Sequence, residues 1–259
     1  MSAQPAGVSR SRRILSIWLP ALAMDRWQLD KRRKAEAVRD GPFVLIADHA
    51  HGPRIEAVNR AATAAGARRG MMLADARALC PAIVTAPSDP AGDLLFLERL
   101  AVWAQRWGPW SALDVPDSLL VDVTAVPHLF GGEERLLDDV YEAFARRRLT
   151  IRAAIAPTAG AAWAMTHFGP DRAIVERGKP IERALADLPV AALRLDQDVL
   201  TVLRRLGLKR LGEIGTIGRD AIQRRFRNRK SPAANPLIRL DQLFGRVPEP
   251  LLPVIPQQM

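Results

Sequence analysis

Cysteine is almost missing from the 259 residues. Cys80 stands alone, so no intrachain disulfide can form, and with four scattered histidines the chain offers no zinc framework. A reducing, cytoplasmic setting is the expectation. Long apolar runs are missing too: every apolar stretch is cut by charge, Pro or Gly before it reaches the ~18 residues of a membrane-spanning helix, so no membrane partner is expected. Acidic residues are in the minority, 28 against 38 Lys and Arg, which leaves a net charge of +10 and a pI near 10.9. That balance favours a polyanionic partner, nucleic acid before an anionic membrane surface. There is no internal repeat, and no low-complexity tract beyond an alanine bias. Arg10, Arg12 and Arg13 ahead of Ile14 to Met24 imitate a secretion signal, but Pro20 interrupts the run and Asp25 and Arg26 follow at once. A buried first strand explains these residues better.

The length and the 48% hydrophobic content suffice for two or three compact units. Residues 1 to 12 are polar and read as disordered. Ile14 to Leu19 reads as a strand, Met24 to Val38 as a helix and Phe43 to Ala47 as a second strand. Glu56 to Ala65 and Leu73 to Leu79 read as short alanine-rich helices separated by Gly66 and Gly70, the second stopped by Cys80-Pro81. Gly92 to Trp107 shows helical spacing. Ser118 to Val123 then reads as a strand, Glu133 to Arg147 as a helix and Ile151 to Ile155 as a strand, which makes an α/β unit. Pro180 to Pro189 brackets a linker into an all-helical region with segments Val199 to Leu206, Gly212 to Ile217 and Arg219 to Phe226.

Several segments, in this order, resemble the core of Y-family DNA polymerases, over about Ile14 to Pro253. Arg69-Gly70-Met71-Met72-Leu73 through Leu79-Cys80-Pro81 resembles the fingers signature. Val121-Asp122-Val123-Thr124 with Phe130-Gly131-Gly132 resembles the later palm strand, Leu206-Gly207-Leu208-Lys209-Arg210-Leu211-Gly212-Glu213-Ile214 the thumb, and Arg239-Leu240-Asp241-Gln242 with Pro248-Glu249-Pro250 the thumb exit. The resemblance implies a right-hand α/β architecture: disordered residues 1–12, a palm from 13–30 and 88–179, small fingers from 31–87 and a helical thumb from 180–259, with the little finger absent.

Phosphoryl transfer to a primer needs divalent metals held by hard oxygen ligands. The resemblance places the family's first essential aspartate at Trp18 and its later acid pair at Asp117 and Ser118, so one carboxylate of three survives. An indole offers only an N–H donor and ligates no cation. The triphosphate contacts fall at Arg60 and Thr63, the aromatic beside the sugar near Leu22 and Ala23, and a basic motif at Thr158-Ala159. Asp114, Asp117 and Asp122 do not rebuild a site, because the last two lie about 16 Å apart along an extended strand and on opposite faces. No catalytic residue, metal or other cofactor is therefore expected; Mg²⁺ would enter only under the alternative, an active error-prone Y-family polymerase. Asp48, His49 and His51 read as a solvated loop, and Asp117 as a strand cap.

From Asp196 to Arg239 eleven Lys or Arg face four acids, most of the chain's excess charge. Arg204, Arg205, Lys209, Arg210, Arg224 and Arg225 are the candidate DNA contacts, against the plainer reading of a solvated helix face. The family's Gly-x-Gly hairpin falls at Leu193-Arg194-Leu195, without its glycines. Asp241-Gln242-Leu243-Phe244 has too short a spacing for a sliding-clamp peptide and reads as an apolar helix end. The departures are those of catalytically degenerate, damage-inducible family members. They imply a non-catalytic, DNA-binding role in SOS-type translesion synthesis, with a RecA-like accessory protein, an error-prone C-family polymerase and the sliding clamp as partners. A nucleic-acid-binding module unrelated to polymerases is the third reading.

Overall fold

The computed structural model describes residues 12–34, 41–214 and 219–255. The disorder expected at the N-terminus thus falls outside the described residues, except that Arg12 is placed and pairs with Asp122 at 3.3 Å. Along the chain come β1 (Ile14–Trp18), α1 (Leu22–Arg33), β2 (Phe43–Ala47), β3 (Arg54–Val58), α2 (Arg60–Ala64), α3 (Leu73–Leu79), β4 (Val84–Pro87) and α4 (Pro90–Ala104). Then follow β5 (Ser111–Asp114), β6 (Ser118–Asp122), α5 (Pro127–Phe130), α6 (Glu133–Arg146), β7 (Arg152–Ala156) and α7 (Ala159–Phe168). The remainder is helical: α8 (Ile181–Leu185), α9 (Gln197–Arg205), α10 (Leu211–Ile214), α11 (Arg219–Phe226) and α12 (Pro236–Leu243).

β1 lies between β6 and β7 in an antiparallel sheet of order β5-β6-β1-β7, although a small unit is inserted in sequence between it and its partners. Alternation along β1 divides the core. Leu15, Ile17 and Leu19 face one way and pack with α4 and α6, where Trp103 meets Trp107, just beyond α4, and Phe144 edge-on while those two rings stack on each other. Ile14 faces the other way, toward α7 and the C-terminal helices. Each fully buried aliphatic side chain contributes about 1.5–3 kcal/mol, and a one-residue slip of β1 would exchange its two faces. α6 forms where the sequence says it should: Glu133 and Glu134 in its first turn, Arg146 in its last, and Leu136, Leu137, Val140, Ala143 and Phe144 on one buried face. α7 is different, because both its sides are covered. Small residues permit this; a Cβ on Gly160 would stand 3.3 Å from the Leu243 Cα of α12.

The inserted unit is a three-stranded sheet of order β3-β2-β4 carrying α2 and α3. The Gly-Met motif supports it structurally. Gly70 has φ +82°, its N–H donates to the Ile55 carbonyl at 2.7 Å, and Met71 returns a carbonyl to the Ile55 N–H at 3.0 Å. Two expectations need correction. Glu56 to Ala65 is not one helix: Arg54–Val58 pairs with β2, and the helix starts only after Asn59, whose side chain accepts from the Ala62 N–H. Sheet pairing overrides alanine's helix preference there. Pro180 to Pro189 is not a plain linker but contains α8, anchored by the fully buried Leu185. β4, β5 and α7 have no counterpart in the sequence reading, and α12 has one only at its end, the apolar helix end at Asp241 to Phe244. The helix expected through Val38 and the one expected through Ile217 extend into residues outside the described ones.

Candidate functional site

The antiparallel register sets out a row of four residues across the sheet: Asp114 on β5 opposite Ser118 on β6, Ser118 opposite Trp18 on β1, and Trp18 opposite Arg152 on β7. Trp18 and Ser118, the positions where the resemblance puts two metal-binding acids, are thus direct cross-strand partners on one face of the sheet. Neither can act as a carboxylate. The Trp18 ring stacks on His167 of α7 at 4.5 Å between centroids and 24° between planes, and His167 stacks in turn on Trp163 at 4.0 Å. The three rings form a column over the row. Burial holds the His167 imidazole below its ordinary pKa, a tendency that Asp117 opposes and Arg194 and Arg152 reinforce; its Nδ1 hydrogen bonds the Trp163 carbonyl at 3.0 Å.

The row's one acid is already engaged. Arg194, at the place of the family's hairpin, adopts φ 54° and donates to Asp114 at 3.1 Å; it also pairs with Glu249 and lies 5.1 Å above the Trp163 ring. Arg239 of α12 reaches the same Glu249 at 3.0 Å. Desolvation raises the Asp114 carboxyl above the usual carboxylate range, with Arg194 working against it and Glu249 adding to it. Asp117 stands one position outside the row; its carbonyl accepts the Leu19 N–H at 2.8 Å, while its carboxylate meets the Ser118 hydroxyl only at 3.5 Å. Asp122 lies at the far end of β6, opposite Ile14, and accepts from the Thr124 N–H. The donor set therefore does not fit a pair of divalent metals. Among the described residues no three His, Cys, Asp or Glu are grouped to hold one, His49 and His51 included.

A cavity of about 430 Å³ lies between this end of the sheet and the inserted unit, and Asp117, Leu22 and Ala23 line it together with Arg69 and Glu56. Arg60 and Thr63 are not in its wall. Arg60 is exposed on α2, and the Thr63 hydroxyl donates to the Asn59 carbonyl. Thr158 caps α7 through the Ala161 N–H and donates to the Leu243 carbonyl, so that motif ties α7 to α12.

The C-terminal basic residues divide by partner. Arg204, Arg205, Arg224 and Arg225 are exposed and form no ion pair among the described residues. Arg210 pairs with Asp187, Arg219 with Asp241 and Arg229 with Asp198. The backbone N–H groups of Lys209 and Arg210, ahead of α10, both donate to Glu213, at 2.6 and 2.9 Å. A carboxylate thus occupies amides that a phosphate could otherwise approach. Gln242 and Leu243 are buried, as suits an apolar helix end. What sequence reasoning missed is the ring column and the Arg194 network. Their one legible signal was the pair Trp163 and His167, four apart on an unforeseen helix.

A family model described as IMS, the impB/mucB/samB family, matches residues 27–167. "Protein ImuB" from two strains of Caulobacter vibrioides is 44% identical over 182 residues, 70% of this chain and 38% of the relative. "DNA polymerase IV" of Ralstonia nicotianae is 29% identical over 206 residues, 73% of this chain and 56% of the relative. The chain thus matches 38% to 56% of the length of these relatives. Among solved structures, a post-insertion binary complex of Dbh DNA polymerase superposes with TM-score 0.73 at 15% identity, over 92% of this chain and 69% of that one. DinB from Sulfolobus solfataricus gives 0.69 at 17% identity, over 93% and 69%. The fold is that of a Y-family polymerase core.

Proposed function

We propose, from the premise that the chain belongs to the impB/mucB/samB family, that it is a non-catalytic, DNA-binding, polymerase-like protein of DNA-damage translesion synthesis. In this reading the four-stranded sheet with α4, α6 and α7 is the palm, the inserted three-stranded unit the fingers, and α8 to α12 the thumb. One observation carries it: Trp18 and Ser118 are register partners at the row where metal ligands would stand, and Trp18 is committed to a ring stack. A metal supplies several kcal/mol of transition-state stabilisation, and about 1.4 kcal/mol is a factor of ten in rate, so this donor set leaves turnover without its main source. DNA contact rests on the unpaired arginines of α9 and α11. The resemblance to ImuB extends the proposal to a RecA-like accessory protein, an error-prone C-family polymerase and the sliding clamp as partners, in the cytoplasm. Among the described residues no helix is long and apolar enough to cross a membrane. Titrating Mn²⁺ against the protein and following free aqua-ion by electron paramagnetic resonance tests the carrying observation. No saturable palm site is expected; a saturable site lost in Asp117→Ala would overturn the reading.

A further inference from the structure

On the face of the four-stranded sheet away from the C-terminal helices, α1, α4 and the end of α6 wall a depression of about 1190 Å³. Arg32 and Arg33 close α1, Arg99 stands mid-way along α4, and Arg146, Arg147 and Arg148 follow one another where α6 ends; all six are exposed. One acid lines the same wall, Asp30, and it already pairs with Lys34 at 2.8 Å. The floor is apolar and includes the half-buried Phe96 with Leu100 and Leu149.

Part of this charge has a structural use. Arg146 pairs with Glu142, and the Arg147 guanidinium lies 3.7 Å from the Trp103 ring centroid. Basic residues in a helix's last turn also complement its dipole, which accounts for Arg33 and Arg146. It does not account for Arg99, which lies in the interior of α4, or for Arg148, which lies beyond α6 at a left-handed φ of 57°. Arg32, Arg99 and Arg148 have no ion-pair partner among the described residues, so like charges converge on one concavity without neutralisation.

We propose that this depression is a binding site for single-stranded DNA, with phosphates on Arg32, Arg99 and Arg148 and a base against Phe96. Guanidinium groups match phosphate oxygens in a planar, two-pronged geometry. A duplex keeps its bases inside and has no use for an apolar floor, whereas an open strand presents base faces that stack on aromatic rings. The volume exceeds the ~300–1,000 Å³ common for small-molecule pockets, which favours a passing polymer over an enclosed nucleotide. The site lies on the opposite side of the sheet from the arginines of α9 and α11, so it stands whether or not those touch duplex DNA.

The test uses the full chain, labelled oligo(dT) and a salt titration of fluorescence anisotropy. Arg32→Ala/Arg99→Ala/Arg148→Ala should weaken oligo(dT) binding at least ~10-fold and flatten the log–log salt slope by about two, at ~0.7 per lost phosphate contact on a single strand. Phe96→Leu, which keeps the floor filled, should weaken binding and leave the slope alone. Arg77→Ala/Arg183→Ala, which removes two exposed charges outside both surfaces, should leave oligo(dT) binding as it is, while duplex binding by Arg224→Ala/Arg225→Ala reads the thumb assignment separately. Unchanged affinity and slope in the triple variant would overturn the proposal. So would competition by poly-glutamate as strong as that by unlabelled oligo(dT) at equal charge, since the site would then read charge alone; tripolyphosphate should compete no better than its ionic strength accounts for.

Discussion

Removing Arg194 should unsettle the junction between the sheet and the C-terminal helices. Its guanidinium joins Asp114 of β5 to Glu249 beyond α12 and covers the Trp163 ring, and its side chain is 15% exposed, against 24% for Asp114 and 11% for Glu249. In Arg194→Ala two carboxylates remain close together with only Arg239 between them. Breaking a buried pair from one side costs about 3–5 kcal/mol, and the partial exposure of all three side chains places this case at about 3 kcal/mol. At about 2–4 °C per kcal/mol for a domain of this size, the melting temperature should fall by about 6–12 °C. Arg194→Gly should recover about 1 kcal/mol of that loss, because the left-handed backbone costs a non-glycine residue about that much. Asp114 sharpens the case. Its carboxyl is raised in the fold, so the folded protein gains protons more readily than the unfolded chain, and the stranded charge is relieved as pH falls through the raised value. The deficit of Arg194→Ala should therefore shrink from pH 7 toward pH 4.5. A melting temperature within 2 °C of wild type at pH 7 would refute the coupling.

Three further outcomes are expected. His167 is held below its ordinary pKa of about 6.5, so its contribution to stability is present above that value and is lost as pH falls through it toward the folded pKa; His167→Phe, which keeps the ring column, should remove this component from urea midpoints measured between pH 7.5 and 5. Replacing Arg224 and Arg225 by Ala should flatten the salt slope for duplex binding by about two, at ~0.9 per phosphate, whereas Lys209→Ala/Arg210→Ala should do less because Asp187 already holds Arg210. An unchanged slope in the first pair would remove α11 from the interface. Trp18→Asp with Ser118→Glu should still extend no primer, since Arg60 and Thr63 lie outside the cavity wall, and robust synthesis would show that the pocket functions without them.

The elements with periodic patterns were legible in advance. α6 shows its acids, its basic end and its apolar stripe in the sequence, and β1 and β6 are short apolar runs bounded by polar residues. Motif order placed Trp18 and Ser118 at corresponding sites, and the register puts them side by side. What was not legible depends on contacts distant in sequence. β3 is alanine-bearing and becomes a strand only because β2 pairs with it, and α7 lacks an apolar–polar alternation because both its sides are buried. Arg13 shows the same limit for charge: counted in the sequence as part of a basic N-terminus, it is fully buried, held by Glu133 and by the Val175 carbonyl at 2.8 Å. Net charge therefore overstates the surface available to DNA, since Arg13, Arg194 and Arg239 are spent inside the fold.

Primer extension by the purified chain, with primer-template, all four nucleotides and Mg²⁺ or Mn²⁺, tests the central claim most directly. With Trp18 and Ser118 in the register row and Asp114 held by Arg194, no extended product is predicted in either metal. Metal-dependent extension that persists through stringent purification and disappears in Asp117→Ala would contradict the account.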